Sequence, residues 1–118
     1  MPAKEWVASI VEKINKDEKA KNGLRKWIGT YYGKIIGWHV GEDRFFVIFT
    51  KNGAKLVEGE YPSPEVELEM DNEEWEDVIK NKHSFDQIYS SMKAEKLVVR
   101  RNLNELYNFS KFLEVVGI

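Results

Sequence analysis

An Asn-Gly turn between two predicted strands is the feature that most constrains the fold of this chain. Residues 45–50 are rich in phenylalanine and β-branched residues, and Lys51-Asn52-Gly53 follows them directly. Asn and Gly tolerate the positive φ values that tight hairpin turns require. The pattern therefore predicts a β-hairpin whose strands span 45–50 and 54–60.

Further segments are typical of strands, and they extend the sheet around this hairpin. Residues 31–40 are aromatic and β-branched, and they end at the turn-forming Gly41-Glu42-Asp43. In residues 66–70 apolar side chains alternate with glutamates, as expected of a strand with one buried face. A short fifth strand is predicted at 97–99.

Glycines recur at every fourth position through the first predicted strand. Because strand side chains alternate between faces, these glycines share one face, opposite Ile36 and Trp38. Glycine weakens a strand and often marks a bend, so we interpret the pattern as a bend rather than a ligand contact. The glycines are Gly29, Gly33, Gly37 and Gly41.

Helical signals flank the predicted strands. Apolar residues at helical spacing over 6–14 predict an opening helix, and Asn22-Gly23 is its predicted stop. Later in the chain, three capping residues each precede a Glu or Gln by three positions, the pattern of the reciprocal capping box. The last of these helices has a broad apolar face from Leu103 to Val116. The pairs are Asp71 with Glu74, Ser84 with Gln87, and Asn102 with Glu105.

This order of elements predicts an α/β fold of the α+β type in a single domain, 1–118. A chain of 118 residues is long enough to bury a core, and its 42% hydrophobic and 32% charged residues are typical of a globular protein. The net charge of −2 argues against nucleic-acid binding, which depends on neutralising many phosphates. The chain has neither an apolar run of membrane-spanning length nor a signal sequence, and it has no cysteine; we therefore expect a cytoplasmic protein.

The chain carries no recognisable catalytic motif. The nucleophile elbow, the P-loop and the glycine-rich phosphate cradle are all absent from the sequence. We interpret His39 as a structural or surface residue and His83 as an exposed turn residue. The acidic residues at 73–77 stand at a helix start, where the helix dipole favours negative charge. We therefore predict a protein that is not an enzyme and has no cofactor or metal.

The aromatic residues point to an apolar space. Phenylalanines make residues 45–49 apolar on both faces, and the broad apolar face of the last helix is available to cover one of them. A sheet that a helix does not quite fill is where a ligand cavity forms. An ordinary filled core is the alternative for the same residues.

The second half of the chain resembles the sterol-carrier-protein type-2 (SCP-2) family. The resemblance is carried by an ordered run: a strand ending in Met70, the acidic helix start with Trp75, the turn before Phe85, and the strand-to-cap segment 96–102. The chain departs from the family where glycines are usual, at Asn81, Glu95 and Arg101, which affects loop geometry and ligand entrance more than the fold.

The resemblance implies a five-stranded, mixed, mostly antiparallel sheet covered by helices, with an apolar tunnel between sheet and helices. Family members bind sterols, fatty acids, acyl-CoA or phospholipids, so the implied function is lipid or acyl-chain binding and carriage. The positions that match the lining of this tunnel are Ile36, Trp38, Phe46, Ile48, Leu68, Met70, Ile88, Met92, Leu106, Phe109 and Leu113.

Two alternatives remain open at this point. In the first, the chain is an accessory or assembly domain with a vestigial cavity, which docks on a partner enzyme or homodimerises through Phe45, Val47 and Phe49. In the second, the chain is an enzyme whose active site is completed by a partner or by the carboxylate of Ile118.

Overall fold

A computed structural model describes residues 1–115 and residue 117 of the chain. Val116 and Ile118, which entered two of the predictions above, lie outside the described residues. The described part holds five helices and five strands. They are α1 (Ala3–Lys16), α2 (Glu18–Ile28), β1 (Gly33–Val40), β2 (Asp43–Thr50), β3 (Gly53–Glu58), β4 (Val66–Met70), α3 (Asn72–Lys80), α4 (Phe85–Lys93), β5 (Leu97–Arg101) and α5 (Leu103–Val115).

The strands form one mixed sheet in the order β3-β2-β1-β4-β5. β1 pairs antiparallel with β2 and parallel with β4, and the two outer pairs, β2–β3 and β4–β5, are antiparallel. The predicted hairpin is confirmed, with Thr50 paired to Gly53 across the turn. The predicted fold class, a mostly antiparallel five-stranded sheet with helices, is also confirmed.

The first strand is shorter than predicted, and two of the four glycines lie outside it. Gly29 is the C-cap of α2 with φ 60°, and Gly41 lies in the turn after β1 with the same φ. Both positions have the left-handed backbone that glycine adopts without steric cost. Of the four glycines, one therefore ends a helix, one lies in a turn, and two lie in the strand.

The opening helix ends earlier than predicted, at Lys16. Asp17 has an extended backbone (φ −117°, ψ 118°), and its side chain accepts a hydrogen bond from the backbone N–H of Lys19 at 2.9 Å. This residue both interrupts α1 and caps α2, so Asn22-Gly23 falls inside α2. The predicted stop was wrong because an aspartate cap satisfies the first backbone donors of a new helix at once.

The three predicted capping residues each accept a backbone hydrogen bond at a helix start. Asp71 accepts from Glu74 N at 2.8 Å, and Ser84 accepts from Gln87 N at 3.2 Å. Asn102 accepts from Asn104 N at 3.0 Å, one position earlier than the box pattern implies. The side chains of Glu74 and Gln87 contact Ser91, and that of Glu105 pairs with Lys34 of β1.

Replacing Ser84 by alanine should lower the free energy of unfolding by about 1 kcal/mol, since the first turn of α4 loses its side-chain acceptor. Urea denaturation monitored by circular dichroism measures this loss. Ser90→Ala is the matched control because Ser90 is exposed within the same helix. There, alanine's helix propensity should leave stability unchanged or slightly higher. Equal losses in both variants would contradict the capping role.

The register divides the sheet side chains into two faces. Trp38 of β1 lies opposite Phe45 of β2 and Leu68 of β4, and all three are buried under the helices. We call this the helix face. The other face, here called the open face, carries His39, Phe46 and other residues of the alternate positions, and Tyr61 lies over Phe46 with ring centroids 5.4 Å apart.

Candidate functional site

Nine of the predicted lining residues lie in one core between the helix face and the helices. Four come from strands and five from helices α4 and α5, and all but Met92 are buried. Met92 is half-buried and packs against this core. The nine are Ile36, Trp38, Leu68, Met70, Ile88, Met92, Leu106, Phe109 and Leu113.

Phe46 and Ile48 lie on the open face, so the prediction that they share the face of Trp38 was wrong. A three-residue turn, as predicted from Gly41-Glu42-Asp43, would place Trp38 opposite Phe46. The turn has two residues, since Val40 pairs with Asp43, and Trp38 therefore lies opposite Phe45. A slip of one residue moves every side chain of a strand to the other face.

The same register changes the role of the three residues proposed as a docking surface. Phe45, Val47 and Phe49 are at most 1% exposed and belong to the core under the helices. An interface between copies or with a partner cannot use them in this state. The docking prediction was wrong at these positions.

Aromatic rings form a continuous layer through this core. The ring of Phe109 from α5 lies 5.9 Å from that of Trp38 and 5.4 Å from that of Phe49. Trp27 of α2 continues the layer, 5.0 Å from Phe49 and 5.7 Å from Phe112. Trp27, Phe49 and Phe112 were missed as lining residues; correct strand parity would have found Phe49, and the predicted helix stop obscured Trp27.

A buried ion pair joins α5 to the sheet. Nζ of Lys34 on β1 lies 2.6 Å from Oε2 of Glu105, and both side chains are at most 10% exposed. The ammonium also lies 5.6 Å from the ring centroid of Trp27 and 5.2 Å from that of Tyr31, which adds cation–π attraction. The first turn of α5 is therefore held against β1 by charge as well as by apolar contact.

His83 anchors the turn between α3 and α4 inside the core, so the prediction that it is exposed was wrong. Its ring stacks on Trp6 at 5.8 Å and meets Trp75 and Phe109 edge-on, while Nε2 accepts a hydrogen bond from the indole of Trp38 at 3.3 Å. Nδ1 has no hydrogen-bond partner among the described residues. Burial lowers the pKa of His83 to about 4, so the ring is neutral at pH 7.

His39 lies on the open face, where it contacts a carboxylate and not the core. Its Nδ1 is 3.3 Å from Oε2 of Glu69, which also accepts from Arg100 at 2.8 Å. The hydrogen bond from the Arg100 guanidinium is the main reason that the pKa of Glu69 is lowered. The two histidines therefore lie on opposite sides of the sheet and do not form a joint site.

Two surface clefts flank the second half of α5. The α2–α5 groove, of about 340 Å³, lies between facing stripes of the two helices and is lined by Gly23, Lys26, Trp27, Asn108, Lys111, Phe112 and Val115. The α4–α5 cleft, of about 430 Å³, lies between the start of α4 and the other flank of α5 and includes Phe85 and Tyr107. Both clefts are built on the helix that covers the predicted tunnel.

The sequence matches no protein-family model and no curated protein. Solved structures do match. A UbiJ-SCP2 ubiquinone synthesis protein superposes with a TM-score of 0.69 at 13% identity, over 97% of this chain and 98% of that one. The sterol carrier protein domain 2 of Helicoverpa armigera gives 0.63 at 15% identity, over 97% and 87%. Palmitated SCP2L2 from Aedes aegypti gives 0.52 at 15% identity, over 86% and 91%.

The fold is that of a sterol carrier protein. The resemblance seen in the sequence is thereby confirmed for the fold, and it extends over almost the whole chain. Within the described residues, no helix has the length and apolar character needed to cross a membrane. The nine core residues lie between the helix face of the sheet and the helices, and their role as the lining of a ligand tunnel stays a prediction.

Proposed function

We propose that this SCP-2-fold protein binds and carries lipids with a long apolar chain, without catalysing a reaction on them. The binding space lies between the helix face of the sheet and α5. The observation that carries the proposal is the match over nearly the full chain to sterol-carrier structures, one of them palmitated, together with a sheet face and helix that, beyond the ion pair at the start of α5, meet mainly through apolar rings and aliphatic side chains.

Binding of this kind requires no specific polar contacts with the ligand. Burying each methylene of a chain contributes roughly 0.8 kcal/mol, whatever its orientation. A chain of about ten methylenes therefore gives several kcal/mol after the ordering costs of binding. Broad selectivity for chain-bearing lipids is the expected consequence.

The ligand must displace side chains, because the space is filled in this structure by Leu106, Phe109 and Leu113, each at most 1% exposed. The beginning of α5 is held by the Lys34–Glu105 pair. Its end is flanked on both sides by clefts. We therefore place the opening movement in the second half of α5, beyond the ion pair that holds its first turn.

Native mass spectrometry of freshly purified protein, followed by organic extraction, tests the proposal directly. The expected result is a bound lipid or saturable uptake of a fluorescent fatty acid at one molecule per chain. Protein that carries no extractable lipid and takes up no probe at micromolar concentration would refute it.

Two substitutions that enlarge a side chain, one inside the proposed binding space and one on the open face of the sheet, test where the ligand binds. Leu106→Phe should weaken fatty-acid uptake by about tenfold, since a larger ring occupies volume that the ligand needs. Ile48→Phe makes the same kind of change on the open face and should leave uptake unaltered. Fluorescence titration measures both, and thermal unfolding checks that each variant is folded. Equal uptake by the two variants would show that the space lies elsewhere.

A second ligand class deserves the same assay. The structural neighbour with the TM-score of 0.69 is a ubiquinone synthesis protein. Isoprenoid quinones are likewise apolar chains, and an aromatic layer suits their flat head and branched tail. Competition between a fatty acid and a short-chain quinone would rank the two classes for this chain.

A further inference from the structure

We propose that the α2–α5 groove is the mouth of the lipid site and that Lys26 and Lys111 select ligands with an anionic head group. The inference rests on the proposed function and assigns its entrance and its head-group specificity. Four features of the groove carry it: the floor, the charge of its rim, the path behind it and the contrast with the cleft across α5.

The floor of the groove suits an alkyl chain. The rings of Trp27 and Phe112 stack with centroids 5.7 Å apart and an interplanar angle of 25°. Val115 extends this apolar surface toward the end of α5. An apolar chain laid along these three side chains removes their surface from water without requiring a polar partner.

The rim carries charge of one sign. Of the groove's lining residues, Lys26 and Lys111 are cationic and none is acidic. Lys26 stands in the last turn of α2 beside exposed Arg25, which adds positive potential. The ammonium of Lys111 lies 3.7 Å from Glu114 and 5.9 Å from the ring centroid of Tyr107, toward the other flank of α5. These exposed contacts are weak, so the side chain can turn toward a ligand carboxylate in the groove that it also lines. A carboxylate or phosphate at the end of an apolar chain matches this arrangement.

The cleft on the other flank of α5 gives the contrast. Its charged lining residues are two lysines and two acids, Lys82 and Lys111 with Asp86 and Glu114. A balanced lining offers no net attraction to an anion. The charge argument therefore singles out the α2–α5 groove, although its volume is the smaller of the two.

The side chain of Trp27 separates the groove from the core. The ring of Trp27 touches the groove on one side and lies 5.0 Å from Phe49 and 5.8 Å from Phe109 on the other. Its indole N–H is buried and has no acceptor among the described residues. Rotating this ring breaks no hydrogen bond to those residues, so Trp27 is suited to admit a chain from the groove to the helix face.

The test compares two probes of equal chain length, dodecanoate and dodecanol, on the wild-type chain and two double variants. Lys26→Glu with Lys111→Glu reverses the rim charge. Lys13→Glu with Lys80→Glu makes the same change in net charge at exposed positions on α1 and α3 that do not line the groove. Affinities are measured by displacement of a fluorescent probe at low and at high salt.

We expect the rim variant to lose about tenfold in dodecanoate affinity at low salt and less at high salt, while dodecanol binds within about twofold of wild type. The control variant should bind both probes as wild type does. An equal loss for both probes, or no loss for either, would overturn the inference while leaving the proposed function in place. Failure of the wild-type chain to bind either probe would refute the proposed function itself, and the inference with it.

Discussion

Replacing Glu105 by glutamine should lower the free energy of unfolding by about 3 kcal/mol, because the ammonium of Lys34 then stays buried without its counter-ion. The cation–π contacts with Trp27 and Tyr31 offset part of the cost, which places the expected value at the low end for a broken buried pair. Urea denaturation at pH 7 measures the change.

Two controls separate the broken pair from the loss of a charge as such. The double variant Lys34→Met with Glu105→Leu removes both charges and should recover most of the lost stability, since apolar residues of similar volume replace such a pair well. Glu60→Gln breaks the exposed pair with Arg44 and should cost no more than about 0.5 kcal/mol. A double variant as unstable as Glu105→Gln would contradict this account.

Acid should destabilise the protein through His83 between about pH 6.5 and pH 4. The unfolded ring titrates near 6.5 and the folded ring at about 4, so in this window the unfolded state binds the extra proton. The stabilising contribution is complete above pH 6.5 and is lost as pH falls toward 4, by about 3 kcal/mol in all. Protonation would place a charge among three tryptophan rings and Phe109.

Comparison with a substituted chain isolates this effect from the carboxylates that titrate in the same range. His83→Asn suits the positive φ of 56° at this position, and its amide oxygen can accept the indole hydrogen bond of Trp38. Unfolding free energies measured from pH 7 to pH 4 should fall less steeply for His83→Asn than for wild type. Parallel curves for the two chains would show that His83 contributes nothing to this pH dependence.

Local chemistry made much of the fold predictable. The Asn-Gly turn, the alternation in 66–70 and the capping residues before α3, α4 and α5 act through neighbouring backbone groups, and all are found at the expected positions. The helix break at Asp17 is equally local. Its signal, an aspartate before Glu18 and Lys19, was available but weaker than the glycine six residues later.

The candidate site was predictable only in part. Trp38, Leu68 and Phe109 could be assigned to one core because their strands and helix are clearly amphipathic. The choice between Phe45 and Phe46 depends on whether the first turn has two or three residues, and both readings place an aromatic residue on each face. Because residues 45–49 are all apolar, the sequence does not show which face of this strand is buried under the helices.

What the sequence by itself determined is the order and type of most elements and the family that the fold resembles, since turns, caps and periodicity depend on residues close together in the chain. Only the tertiary structure decided which face of β2 lies under the helices, where His83 goes, and which partner Glu105 takes. The first outcome depends on a turn of two residues after β1, a length that the apolar residues on both faces of β2 do not specify. The other two depend on groups 27 to 71 positions apart: Trp38 donates to His83, Lys34 pairs with Glu105, and Ser110 donates to the carbonyl of His83. Such contacts arise from packing a whole sheet against five helices, and no local pattern encodes them.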